Sequence, residues 1–233
     1  MNGLRKSVLV LSFVCLIALG LLANCAQLNA PIAGNKSSPN AVGPLSVGVD
    51  GQGGGASVDR PKGYAHVTAT FGAFLLCSTS GSAAISLDSV AFPKGSPPGV
   101  AAWIRTVTPD RVSLAEEGDR GHYAPIAFGL GSPPEFSQPY VGFETPPGEF
   151  SRSISGVRVS GDCDEVSAAV SALGRSQVPQ TEIQELVIVI PSGKAGARIP
   201  NFTINYEADG EAFELKVSWD MVVCDRAGRL PYC

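Results

Sequence analysis

Apolar and polar residues alternate most regularly in the last third of the chain. The alternation is clear over residues 199–207 and again over residues 213–223. A period of two predicts strands with one buried and one wet face. Residues 208–210, Ala-Asp-Gly, supply a hairpin turn between them. With the apolar run at 185–190, these stretches predict a three-strand antiparallel meander.

The middle of the chain predicts further strands separated by turns rich in glycine and proline. Residues 67–77 are prone to form a strand, and residues 84–92 are predicted to return beside it. A third strand over residues 99–107 places Trp103 and Ile104 on opposite faces. Shorter candidates lie at 123–128, 138–143 and 150–159.

One segment predicts a helix, over residues 164–173. Asp162 or Asp164 can cap its first turn, and Gly174 is placed to end it. The same carboxylates, with Glu165, are also a possible calcium site, because calcium prefers several oxygen ligands. The cap explains these residues more simply, so we expect no metal here.

These elements predict an all-β fold, an immunoglobulin-like antiparallel β-sandwich with one short helix, over residues 64–233, with a small β-barrel as the alternative. Residues 25–63 are rich in glycine, proline and serine and keep no apolar period. Such a stretch cannot bury enough surface to offset chain entropy. It is therefore predicted to be a disordered linker.

The first 24 residues have the layout of a secretory signal peptide. Arg5 and Lys6 precede an uncharged apolar stretch, residues 7–23, and small residues follow. The end of the stretch, Leu22-Ala23-Asn24-Cys25, resembles the lipobox of bacterial lipoprotein precursors. Asn24 departs from that pattern, which has a smaller residue before the cysteine.

The resemblance implies that the leader is cut before Cys25 and that this cysteine carries the lipid. The protein would then be anchored on the extracytoplasmic side of a membrane. Two alternatives remain: ordinary cleavage after Ala26 or Ala30, giving a secreted protein, or an uncleaved N-terminal anchor. All three place the domain outside the cytoplasm.

The cysteines of the domain fit an oxidising compartment. Beyond Cys25 the chain has Cys77, Cys163, Cys224 and Cys233, an even number that predicts two disulfides. Three connectivities are open. A turn can join Cys224 to Cys233 and leave Cys77 with Cys163, whereas Cys77 with Cys224 would link an early strand to the last.

Charge and composition narrow the function classes. The formal charge is −4, and loss of Arg5 and Lys6 with the leader makes it −6. No basic cluster is present, which argues against a nucleic-acid partner. No Cys-x-x-Cys occurs and His66 and His122 stand alone in the sequence, so no metal or other cofactor is expected.

No catalytic motif is present, and we expect no enzyme. The strongest acid–base candidate is His122 near Asp119, in a polar stretch more typical of a solvated loop. Aromatic residues are candidates for a ligand groove but are more often core in sandwiches. These are Trp103, Phe128, Tyr140 and Phe143.

Three functions follow as hypotheses. The first is a lipid-anchored envelope protein that binds a partner or stiffens the envelope. The second is a carrier of a lipid or other apolar ligand, which requires a sizeable apolar cavity. The third is an enzyme of an unrecognised class.

The domain is also similar to uncharacterised exported actinobacterial proteins. The residues that carry this resemblance are Leu-Leu-Cys at 75–77, Cys163 and a late Val-Cys at 223–224. The resemblance implies no known activity.

Overall fold

Five antiparallel strands form the larger layer of a β-sandwich. The structure, a computed structural model, describes residues 43–48, 53–81, 83–136, 146–225 and 227–233. The central strand of this layer is buried along its first eight residues, because both of its faces are covered. In sheet order the strands are β7 (Phe128–Leu130), β3 (Val67–Leu75), β9 (Ile183–Ser192), β6 (Ala101–Val107) and β8 (Glu149–Ser151).

The opposite layer is built on one long, interrupted hairpin. Asp209 and Gly210 form its tight turn with φ values of 51° and 85°, as a two-residue hairpin loop requires. Pro200 interrupts the first arm, since proline has no N–H for the ladder. The arms are β10 (Ala197–Ile199) with β11 (Phe202–Ala208), and β12 (Glu211–Val217) with β13 (Trp219–Val223).

Two strands extend this hairpin on opposite sides. β5 (Ile85–Ala91) pairs antiparallel with β11, and β2 (Gly54–Val58) pairs parallel with β13. A short pair, β1 (Leu45–Ser46) with β4 (Cys77–Ser78), lies beside them. The second layer of the sandwich therefore contains strands from both the N-terminal and the C-terminal parts of the domain.

The two layers meet in one apolar core. Phe74 of β3 packs edge-on against Phe202, with ring centroids 5.0 Å apart, and also contacts Trp219. The inward residues Ile204 and Tyr206 are fully buried. The alternation in the sequence therefore predicted the buried face of the hairpin correctly, and the all-β sandwich is confirmed. The immunoglobulin-like strand order stays a prediction.

Strand partners differ from those predicted. The stretch at 185–190 belongs to β9, in the centre of the larger layer, so it does not complete a meander with the hairpin. The stretch at 84–92 pairs with β11 and not with β3. In both cases the predicted neighbouring strand was wrong, because periodicity identifies the buried face of a strand and not the strand that pairs with it.

The predicted start of the domain at Tyr64 is also wrong. Leu45, Val47 and Val58 are buried in the core, so residues 43–48 and 53–63 belong to the fold. A Cβ on Gly54 would collide with the Trp219 ring, and one on Gly55 would lie 2.7 Å from the carbonyl oxygen of Asp220. Gly54 and Gly55, two of the glycines that indicated a tether, are thus required by close packing. The rest of the predicted linker, residues 25–42 and 49–52, lies outside the described residues.

The described residues contain two α-helices and one 3₁₀ helix, and one of these is the helix predicted from sequence. Thr108 caps α1 (Pro109–Leu114), and a 3₁₀ helix follows at Glu117–Tyr123. The predicted helix is α2 (Cys163–Leu173). Pro109 after Thr108 is a typical start for a helix, but six residues are too few to show a helical period.

Candidate functional site

A groove of about 1090 Å³ lies at one end of the sandwich and is hereafter called the end groove. Its lining residues are drawn from 61–68, 95–98, 130–135 and 191–198, with Leu230. Most of these stretches are loops that leave or enter a strand. The site is thus held by the scaffold while its surface is free to vary.

The loop between β9 and β10 forms one wall of the end groove. Gly193 and Gly196 face each other as an isolated bridge, and Gly196 has a φ of 78°. A Cβ at Gly196 would lie 2.6 Å from Leu230 Cδ1 and 2.7 Å from the carbonyl oxygen of Val223. Only glycine fits here, because the chain must turn with positive φ and approach the C-terminal segment closely.

The C-terminal segment, residues 225 and 227–233, supports this wall. Cys224 and Cys233 form a disulfide that closes the segment into a loop. Within it, the Asp225 carboxylate accepts the backbone N–H of Arg229 at 3.0 Å and its Nε–H at 2.8 Å. The Ser57 hydroxyl donates to the carbonyl oxygen of Tyr232 at 2.9 Å. Leu230 is therefore held against the groove by a covalent link and by polar contacts.

Arg60 positions a second wall. Its Nη1 donates to the carbonyl oxygen of Ala65 at 2.8 Å, and its Nη2 donates to Ser192 Oγ at 3.1 Å and to the carbonyl oxygen of Gly193. One side chain thus joins the segment after β2 to the end of β9. That segment carries the exposed side chains of Tyr64 and His66 into the lining.

Charges of both signs line the groove. Arg198 is engaged by Asp220, with Nε 2.9 Å from Oδ1 and Nη2 2.7 Å from Oδ2. Lys194 and Glu135 are exposed and make no ion pair with any residue that the structure describes. The groove therefore offers one cation and one carboxylate to a ligand, together with an imidazole and an aromatic ring.

The predicted acid–base pair lies elsewhere. His122 Nδ1 is 4.0 Å from Asp119 Oδ1 on the 3₁₀ helix, and both side chains are about half exposed or more. Neither residue lines the end groove. Both side chains are open to solvent, so the geometry adds no support for acid–base chemistry at this pair.

Asp162 and Glu165, two of the residues considered as a possible calcium site, cap the helix α2. Asp162 Oδ1 accepts the Glu165 N–H at 2.7 Å, and Glu165 Oε2 accepts the Asp162 N–H at 3.4 Å. This is a capping box. Within the described ranges no group of three or more histidine, cysteine, aspartate or glutamate residues is placed to hold a metal ion.

Of the four aromatic residues proposed from sequence, the two that the structure describes do not line the end groove. Trp103 is 8 % exposed and packs in a small core with Ile126 and Val187. Phe128 is 47 % exposed but does not line the end groove. Tyr140 and Phe143 lie outside the described residues, as does Cys25.

The four domain cysteines form two disulfides, as predicted. Cys77 pairs with Cys163 and Cys224 with Cys233, which settles the connectivity among the three alternatives. The first joins β4 to the start of α2, and the second closes the loop beside the end groove.

A buried ion pair is the other notable group of charges. Arg105 of β6 and Glu185 of β9 are cross-strand neighbours, each 1 % exposed, with Nη1 2.8 Å from Oε2. Arg105 makes further hydrogen bonds to the carbonyl oxygens of Tyr123, Ala124 and Pro147. Its donors are all used inside the fold, so the pair is a structural support and not a reactive site.

Comparison of the chain with protein-family models, curated proteins and solved structures found no match. Among the described residues, no helix is both long and apolar enough to cross a membrane.

Sequence reasoning missed the end groove because its walls come from five separated stretches. Three local signals were available: Pro97-Pro98, the Gly-Lys-Ala-Gly loop at 193–196, and the short spacing of the last two cysteines. Each predicts a loop, but only the fold shows that these loops share one end of the sandwich.

Proposed function

We propose that this protein is a lipid-anchored, non-enzymatic binding module of a bacterial cell envelope. Cys25 carries the anchor, and the end groove takes the ligand. The observation behind the binding role is the construction of the groove, in which a disulfide and the Arg60 bonds hold several loops around one concave surface. Preorganised walls reduce the entropy cost of binding.

The disulfides support placement outside the cytoplasm, since such bonds persist in oxidising compartments. The lipobox-like sequence at residues 22–25 supports the anchor. The carrier hypothesis receives less support, because a carrier needs an enclosed apolar cavity. Lys194 and Glu135 instead place charges on an open groove.

The two histidines of the chain provide a matched test of the binding role. Both side chains are exposed, but His66 lines the end groove and His122 does not. A photo-crosslinking amino acid is placed at either position and irradiated in the native envelope. We expect a discrete crosslinked species from position 66 only, seen as a mass shift on denaturing gels. Equal yields at both positions, or none at position 66, would contradict binding at the groove.

A further inference from the structure

Two sheet edges border the end groove. β10 is the last strand of its sheet and contributes Ala197 and Arg198 to the lining, while β7, at the edge of the larger sheet, contributes Leu130. An edge strand has one row of backbone N–H and C=O groups without a ladder partner. Within the part of the chain that the structure describes, no strand pairs with the outer side of β10.

Two glycines of the end groove border open space. A Cβ placed on Gly193, in the loop before β10, would meet no atom within 4 Å, and the same holds for Gly95 on another wall. A ligand in the groove can therefore come close to the main chain at both glycines without a collision. Addition of a strand to an exposed edge is a common mode of peptide recognition.

The exposed side chains of Lys194 and Glu135 favour a ligand that carries both a negative and a positive charge. Lys194 stands in the loop before β10, and Glu135 stands on the wall that follows β7. A ligand with a carboxylate at one end and a cation at the other complements both groups. A neutral glycan would satisfy neither charge and has no alternating amide donors and acceptors for a strand edge.

Resting on the proposed binding role of the groove, we propose that its ligand is an extended peptide segment that adds to the edge of β10. An acidic side chain of the peptide lies near Lys194, and a basic one lies near Glu135. Main-chain hydrogen bonds supply affinity, and the two charges set the direction of the peptide.

The probe is a library of acetylated, amidated nonapeptides, each with one glutamate and one lysine at varied spacing between strand-forming residues. The library is selected on the full chain, and the best members are titrated at low salt. N-methylation at alternate residues then removes one row of amide donors at a time. We expect methylation of one row to weaken binding about tenfold or more, and methylation of the other to have little effect.

Lys194→Glu should weaken the selected peptides by about fivefold at low salt, the size expected of a partly exposed ion pair. Lys62→Glu is the matched control, because Lys62 is exposed and does not line the groove. A peptide with its glutamate changed to lysine should recover binding to Lys194→Glu but not to Lys62→Glu.

Four outcomes would overturn the peptide assignment. They are no peptide binding below about 1 mM, equal effects of both methylated rows, tighter binding of a neutral oligosaccharide, or occupation of the edge by a second copy of the chain in sedimentation experiments. If crosslinking at position 66 persists in any of these cases, the groove still binds a ligand and only the ligand class is wrong. If crosslinking is also absent, the binding role fails as well.

Discussion

Glu185 shows how one buried residue joins separate parts of the fold. Its Oε1 accepts the N–H of Ala73 at 2.6 Å and of Ile126 at 2.7 Å, while Oε2 accepts from Arg105. Ala73 has a φ of 62° and lies where the register of β3 and β9 shifts. Burial raises the pKa of Glu185, whereas Arg105 and the two backbone donors oppose that rise. The carboxylate thus holds a bulge and a loop to the central strand.

Arg105→Met should destabilise the protein strongly, by about 3–5 kcal/mol, because it leaves the Glu185 carboxylate buried without its cation. Urea unfolding followed by fluorescence measures the loss. Adding Glu185→Leu should not restore stability, since the N–H groups of Ala73 and Ile126 would then lack their acceptor.

The exposed pair of Arg111 with Glu149 is the matched control. Arg111 Nη2 also lies close to its partner, 2.7 Å from Glu149 Oε1, but both side chains are about half exposed or more. Arg111→Met should change the free energy of unfolding by less than about 1 kcal/mol. Equal losses from the two arginine variants would show that burial does not govern the strength of these pairs.

Among the elements, the C-terminal loop carries a pH-dependent contribution. The backbone N–H and guanidinium of Arg229 lower the pKa of Asp225. A carboxyl group with a lowered folded-state pKa contributes stability above its unfolded-state pKa, near 3.9, and loses it as the pH falls through the folded-state value.

Asp225→Asn should therefore lower the melting temperature at pH 7, and the difference from the unmodified protein should shrink as the pH falls below about 4. Thermal unfolding followed by circular dichroism between pH 7 and pH 2 measures this. A difference that is constant across this range would mean that Asp225 contributes through packing and not through its charge.

Element identity could be predicted well where one face of a strand is buried and the other is wet. Phe202, Ile204 and Tyr206 alternate with polar residues, and all three are buried as predicted. Element pairing could not be predicted, because β5, β9 and β2 reach their partners through contacts distant in sequence. β2 was missed for a further reason: its Gly-Gly start has no apolar side chain to show a period.

Across the whole molecule, the two disulfides constrain very different lengths of chain. Cys77 and Cys163 are 86 residues apart, and Cys224 and Cys233 are 9 apart. In the chain-entropy model, a longer closed loop restricts the unfolded state more. The first bond should therefore contribute more to global stability, and the second more to the end groove that it borders.

Replacing Cys77 and Cys163 together by serine should cost about 4–5 kcal/mol, and replacing Cys224 and Cys233 together about 2–3 kcal/mol. Equilibrium unfolding in urea compares the two variants. The short-loop variant should remain folded but lose the position-66 crosslink, because Leu230 is no longer tied to the groove. A larger loss of stability from the short loop would contradict this division of roles.

The four domain cysteines and their even number made the disulfide framework predictable, although its connectivity needed the fold. The candidate site could be recognised only from the fold, since Leu230, Lys194 and His66 share a groove only after the strands are paired. The proposed anchor at Cys25 rests on the sequence alone.

The intact mass of the protein extracted from its own membrane tests the lipid-anchored, exported account most directly. The predicted chain begins at Cys25, carries added acyl mass on that residue, and is lighter by about four hydrogens because both disulfides are formed. A retained leader, a first residue beyond Cys25, or four free thiols in the domain would contradict it.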